Sequence, residues 1–334
     1  MFCAVFLEDC GMKIITFDDI AALRINPLKF YGWVSEIIKN KSKAVLPPKI
    51  SMKYSHEGIF CNVMPCVIPS EISPLGFAAG GVKIVTRYPS RLPSLNSQII
   101  LFNADTGENI ALMDANFITA MRTGAVAAHS VKLFARKDYS TIGIIGLGNT
   151  ARASLLVLSE LETEREFTVK LLKYKSQEES FARRFESCTR LHFEYVDTPE
   201  ELARGSDVII SAVTYAQSDF CSDECFGEGV LVVPVHTLGF TNCDLFFDKV
   251  FADDYGHVKH FRNFGKFHSF SEVSDVVNGK SEGRIDDRER ILVYNIGISL
   301  HDINAAAHIF RLCMSSGKTF ADFDMHEPEA KFWI

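Results

Sequence analysis

Thr141-Ile142-Gly143-Ile144-Ile145-Gly146-Leu147-Gly148-Asn149-Thr150-Ala151 decides the fold of this chain. The first five residues are a continuous apolar run, which reads as a strand buried on both faces. The next six fit G-x-G-x-x-A, and a helical stretch follows to about residue 161. In that setting each small residue has a task. Gly146 permits the tight turn, Gly148 lets the backbone approach a pyrophosphate, and Ala151 allows close helix–strand packing. The helix N-terminus at Asn149 and Thr150 presents amide donors and a positive dipole end to phosphates. The stretch is therefore expected to bind a dinucleotide.

Downstream, apolar runs at 169–172, 192–196, 207–212, 230–235 and 250–252 alternate with helical spacers. Parallel strands joined by helical crossovers make a Rossmann-type doubly wound α/β sheet. An acid at the end of its second strand would accept ribose hydroxyls; Lys173-Tyr174-Lys175 stands there instead. Two cations beside an aromatic suit a 2′-phosphate and an adenine face, which puts NADP(H) ahead of NAD(H). A solvated basic turn is the plainer alternative.

Upstream, the first ~110 residues carry short apolar runs at 59–63, 82–86 and 98–103, punctuated by Pro and Gly. That pattern reads as a second, β-rich α+β unit. Asp114 then opens a long helical stretch to about residue 135. From Ile296, the residues Leu300, Ile303, Ala307 and Phe310 fall on one helical face. The expected division is 1–125, with the tail from about 312 to 334, as a substrate and dimerisation domain, and 126–311 as the dinucleotide domain. Residues 1–11 precede a good first strand and could lie outside the fold.

Several polar residues need a reason. Lys83 shares a strand face with Gly81 and Val85. A buried ammonium is costly unless paired, so such a lysine either meets an anion or reaches water from an edge strand. Arg122, inside the long helix, could clamp a carboxylate with two prongs or be taken up by Asp114. Lys49 follows Pro47-Pro48 and reads as a surface residue. Asp302 could cap, pair or act chemically. His236 ends the fifth strand, near where ligands gather in such sheets, and is a candidate acid–base group.

The chain has 334 residues, with 35 Lys and Arg against 42 Asp and Glu, for a net charge of −7. No basic excess exists to neutralise phosphates, which argues against nucleic acid as a partner. No apolar run approaches the ~18 residues a membrane span needs. The nine cysteines lack paired spacing or a His cluster, so no metal site is expected, and reduced thiols in a cytoplasm account for them.

Together these residues resemble the ornithine cyclodeaminase/mu-crystallin family from about Met12 to Phe310. Met113-Asp114 with Ile118-Thr119-Ala120-Met121-Arg122-Thr123-Gly124-Ala125 is close to the family's "MDG..iTa.RTaA" signature. Gly80-Gly81-Val82-Lys83 looks like its substrate-lysine strand, and Ala212-Val213-Thr214 and Asn295-Ile296-Gly297 match two further segments. The resemblance implies a homodimer of two-domain subunits. It also implies Lys83 and Arg122 on the α-carboxylate of an amino acid or imine, helped by Lys49 where members commonly have Arg. Val213 and Thr214 would line the adenosine, and Asn295 and Ile296 the nicotinamide. Two departures matter. Leu238 stands where cyclodeaminases carry an Asp, and Thr150 replaces a Gln. The implied function is an NAD(P)H-dependent oxidoreductase acting on an amino acid or its imine: an imine reductase, an amino-acid dehydrogenase or an opine-type synthase. Lys83, Arg122 and His236 would be its catalytic groups. An ornithine or lysine cyclodeaminase with bound NAD, or a non-catalytic NADPH-dependent binding protein, are the alternatives.

Overall fold

The structure, a computed structural model, describes residues 11–53, 58–213, 216, 218–235, 239–240 and 245–324. His236, Leu238 and Thr214 lie outside the described residues.

In chain order the first half runs β1 (Met12–Ile15), α1 (Phe17–Ala22), α2 (Pro27–Lys39), β2 (Ile50–Lys53), β3 (Phe60–Ile68), β4 (Ala79–Arg87), β5 (Leu95–Asn103), β6 (Asn109–Asp114) and α3 (Asn116–Phe134). The second half runs β7 (Thr141–Ile145), α4 (Asn149–Leu161), β8 (Phe167–Leu172), α5 (Glu178–Arg183), β9 (Leu191–Val196), α6 (Pro199–Ala203) and β10 (Val208–Ser211). It continues with β11 (Leu231–Pro234), β12 (Lys249–Ala252), α7 (Tyr255–Val258), β13 (Phe270–Glu272), α8 (Val273–Val277), β14 (Ile291–Tyr294), α9 (Ser299–Met314) and β15 (Ala321–Phe323).

Two sheets result. The first, ordered β15-β1-β6-β5-β4-β3-β2, is antiparallel except where β1 lies parallel to β6. The second, ordered β13-β12-β14-β11-β10-β7-β8-β9, is parallel throughout. The α/β architecture with a second β-rich unit is the one the sequence implies. From β7 the chain winds outward to β8 and β9, then returns to β10 on the other side. That reversal makes a crevice at the carboxyl ends of β7 and β10, where such sheets bind ligands.

Several expectations are refined. β4 is hydrogen-bonded to both β3 and β5, so Lys83 has no edge from which to reach water. Asp114 ends β6, and its carboxylate accepts the Asn116 N–H at 2.9 Å; it shapes the turn into α3 and does not take up Arg122. Ile296 lies in the turn before α9, which starts at Ser299. The tail's β15 pairs antiparallel with β1, so it packs back on the first sheet.

The expected domain division at 125/126 falls inside α3, which packs on α2 and α4 and touches both β5 and β11. α9 crosses back over β3, β4 and β5. These two helices carry Arg122 and Asp302 into the space between the sheets.

Candidate active site

Alternation along β4 buries Gly81, Lys83 and Val85 on one face. α9 covers that face, setting Asp302 over the lysine: Lys83 Nζ lies 2.8 Å from Asp302 Oδ2. From α3, Arg122 Nε lies 2.7 Å from Asp302 Oδ1. Lys83 is 1% exposed and Asp302 is fully buried. Charges so desolvated are tolerable only when paired, since each alone costs several kcal/mol. Here one carboxylate serves two cations. Burial, with the Arg122 charge adding to it, pushes the Lys83 ammonium from its ordinary 10.5 down to about 7, against the pull of Asp302. Arg122 Nη1 is buried and has no hydrogen-bond partner among the described residues.

Lys49, from the segment before β2, joins this group. Its Nζ donates to the Ile296 carbonyl at 3.3 Å. Burial holds the ammonium below its ordinary value, with Arg122 adding to that and Asp253 and Asp302 opposing it. The surface role first read for Lys49 is thus set aside. Asp253, just past β12, is 2% exposed and accepts the Gly297 N–H at 2.5 Å. Burial alone would raise its carboxyl; His257, the Gly297 amide and Lys49 together hold it below its ordinary value. Gly297 has φ +93, and a Cβ there would stand 3.2 Å from both terminal nitrogens of Arg122. The positive φ favours glycine there, and a Cβ would press on the guanidinium.

The cluster thus sets three cations (Lys49, Lys83, Arg122) against two carboxylates (Asp253, Asp302). Burial pushes the nearby His301 and His129 down to about 3 and 4, so both are neutral at physiological pH and leave this balance unchanged. With Lys83 protonated, one positive charge is in excess, beside an unpartnered guanidinium N–H. That arrangement suits one carboxylate. A cleft beside it is lined by Leu46, Pro47, Lys49, Met64, His257 and Ser299. Met64 is the cross-strand neighbour of Lys83.

The dinucleotide residues fall at the crevice. Gly146 has φ +83, and a Cβ there would meet the backbone of Ala212 and Val213 at 2.9 Å. Nothing lies within 4 Å of where a Gly148 Cβ would be, and Gly148 is the N-cap of α4 with no side chain over the first turn. No side chain caps the first turn of α4, so the Asn149, Thr150 and Ala151 amides are left without a side-chain partner, as a pyrophosphate requires. The residues fit a dinucleotide. At the ribose end, Lys173 Nζ donates to Asp197 Oδ1 at 2.9 Å, and the Lys175 ammonium stands 5.1 Å from the Tyr174 ring centre. Asn295 is 2% exposed, and its amide is taken up by Ser130 at 3.0 Å.

The sequence of the ornithine cyclodeaminase/mu-crystallin family matches this chain over residues 25–317. The chain belongs to that family. A nodulation efficiency protein NfeD of Rhizobium meliloti is 27% identical over 81% of this chain and 85% of its own length. An archaeal alanine dehydrogenase dimer with bound NAD shares the fold, with a TM-score of 0.80 at 22% identity over 94% of this chain and 99% of that one. The Thermococcus litoralis Δ1-pyrroline-2-carboxylate reductase in complex with NADH and L-proline has a TM-score of 0.79 at 25% identity, covering 92% and 98%. Other relatives include pyrroline-2-carboxylate reductases, an alanine dehydrogenase and an ornithine cyclodeaminase. The family is thus one of NAD(P)-dependent oxidoreductases acting on amino acids or imines, with cyclodeaminases among its members.

Sequence reasoning missed the roles of Asp253 and His257, and quoted Gly297 only as part of a matching segment. The signal for Asp253 is the Asp253-Asp254 pair at the carboxyl end of a strand. The basic, aromatic segment 257–262 reads as a surface helix or as a contact for an acidic second substrate, and neither singles out His257; α7 is only four residues long and turns the imidazole inward.

Proposed function

We propose that this protein reduces the imine of an α-amino acid, or oxidises the corresponding amine, with NAD(P)H. The observation that carries the reading is the buried cluster of three cations against two carboxylates beside the cleft. Lys83, Arg122 and Lys49 hold the substrate carboxylate, and Asp302 fixes the first two at 2.8 and 2.7 Å so that little reorganises when the anion arrives. NAD(P)H, when bound, supplies the hydride. Gly146, Gly148, Thr150, Ala151 and Val213 cradle the nucleotide, and the 295–296 turn flanks the carboxylate cluster through the Ile296 carbonyl. Lys83 is the group suited to give the imine nitrogen its proton, because its ammonium loses a proton near neutrality.

The basic end of β8 supports NADPH over NADH: Lys175 has no acidic partner among the described contacts, while Lys173 must leave Asp197 to reach a phosphate. A homodimer and a cytoplasmic setting complete the proposal. No disulfide joins the described cysteines, which fits a reducing compartment.

The test is turnover of Δ1-pyrroline-2-carboxylate with NADPH and with NADH, in wild type, Lys83→Met and Arg122→Met. A loss of about a hundredfold or more in kcat/KM in each variant, with NADPH preferred by wild type, is expected. Turnover unchanged in both variants sinks the proposal.

A further inference from the structure

We infer that His257 is the positioning residue for Lys49, tying the two halves of the cleft together. The inference rests on the reading of Lys49 as a carboxylate anchor. The His257 side chain is 7% exposed, and its Nε2 accepts the Lys49 backbone N–H at 3.4 Å. Acceptance at Nε2 puts the ring hydrogen on Nδ1, which faces Asp253 Oδ1 at 3.9 Å. Asp253 in turn holds the Gly297 N–H, and Gly297 lies against the Arg122 guanidinium. One hydrogen bond thus joins the segment before β2 to α7, and across a 3.9 Å gap, too long for a hydrogen bond, the imidazole faces Asp253 at the end of β12, which holds the turn over Arg122.

The imidazole is itself held. Asp254 caps α7 by accepting the Gly256 N–H at 2.7 Å, and its other oxygen pairs with Lys41 at 2.8 Å, so it does not compete for His257. A lysine needs such help more than an arginine does. Its ammonium is a point charge on a flexible stem, without the planar fork that fixes a guanidinium on a carboxylate. Here Lys49 is restrained at both ends, by His257 at the backbone and by the Ile296 carbonyl at Nζ.

The experiment is calorimetric binding of pyrrole-2-carboxylate, a planar cyclic carboxylate, to the NADPH-saturated protein. Retained NADPH affinity certifies the fold of each variant. His257→Leu is expected to weaken binding about five- to tenfold, the loss of one ordered hydrogen-bond restraint. His257→Gln, whose amide oxygen can accept the same N–H, should recover most of it. The double variant Lys49→Met/His257→Leu should bind no worse than Lys49→Met alone, since His257 acts through Lys49. If the leucine variant does not fold, His257→Ser takes its place in the same comparison. Wild-type affinity in His257→Leu, a glutamine variant as weak as the leucine one, or independent losses in the double variant overturns the inference. Failure of Lys49→Met to weaken binding, or of wild type to bind, would instead overturn the carboxylate-anchor reading beneath it.

Discussion

Lys83 shows how far single residues can be read. Its alternation with Gly81 and Val85 gives it a strand face but leaves open an anion or an edge to water; the pairing of β4 on both sides decides for the anion. The identity of that anion was not legible, because Asp302 lies on a helix more than two hundred residues away and looked equally suited to a cap. Arg122 was open for the same reason: Asp114 is near in sequence, yet its carboxylate is spent on the turn into α3. The buried Lys83 also fixes a pH dependence. With its ammonium pushed down to about 7, the charged form is lost as pH rises through that value, and with it part of the carboxylate's hold and the proton for the imine. We expect kcat/KM for imine reduction to fall above about pH 7. In Lys83→Arg, whose guanidinium keeps its proton, that descending limb should vanish even though the maximum is lower. A wild-type profile that stays flat through neutrality would contradict this assignment.

Elements with strong local signals were legible, and those set by tertiary context were not. β7 has the bounds its apolar run implies, and the glycine turn after it needs only a short-range reading. The α9 face follows from its apolar spacing, but its start does not, because the Gly297 turn that delays it answers to Arg122. α2 went unread although Asn26-Pro27 is a good start signal, the Asn26 side chain accepting the Leu28 N–H at 2.8 Å. Its buried Phe30, Val34, Ile37 and Ile38 form an ordinary helical stripe. β13 and β14 are three and four residues long, too brief for alternation or a run to declare them.

At the scale of the whole molecule, the cleft is assembled from segments around 46–49, 253–257 and 295–299, which only the packing of two sheets brings together. No local pattern in any of them names the cleft. The same scale carries the proposed homodimer. β2 is an edge strand, exposed throughout, and presents Ile50 and Met52 at 60% and 49% exposure on one face. Uncovered apolar edges invite pairing. Analytical ultracentrifugation should find a dimer that Ile50→Glu/Met52→Glu converts to monomer; a wild-type monomer at micromolar concentration would refute it.

A buried excess positive charge is proposed to select a substrate carboxylate for imine reduction. The most direct measurement compares NADPH oxidation with Δ1-pyrroline-2-carboxylate and with 1-pyrroline, the same ring without the carboxyl group. Rapid oxidation is expected with the first, and a kcat/KM lower by at least about a hundredfold with the second. Equal rates on both, or ammonia released from ornithine without net cofactor oxidation, would contradict it.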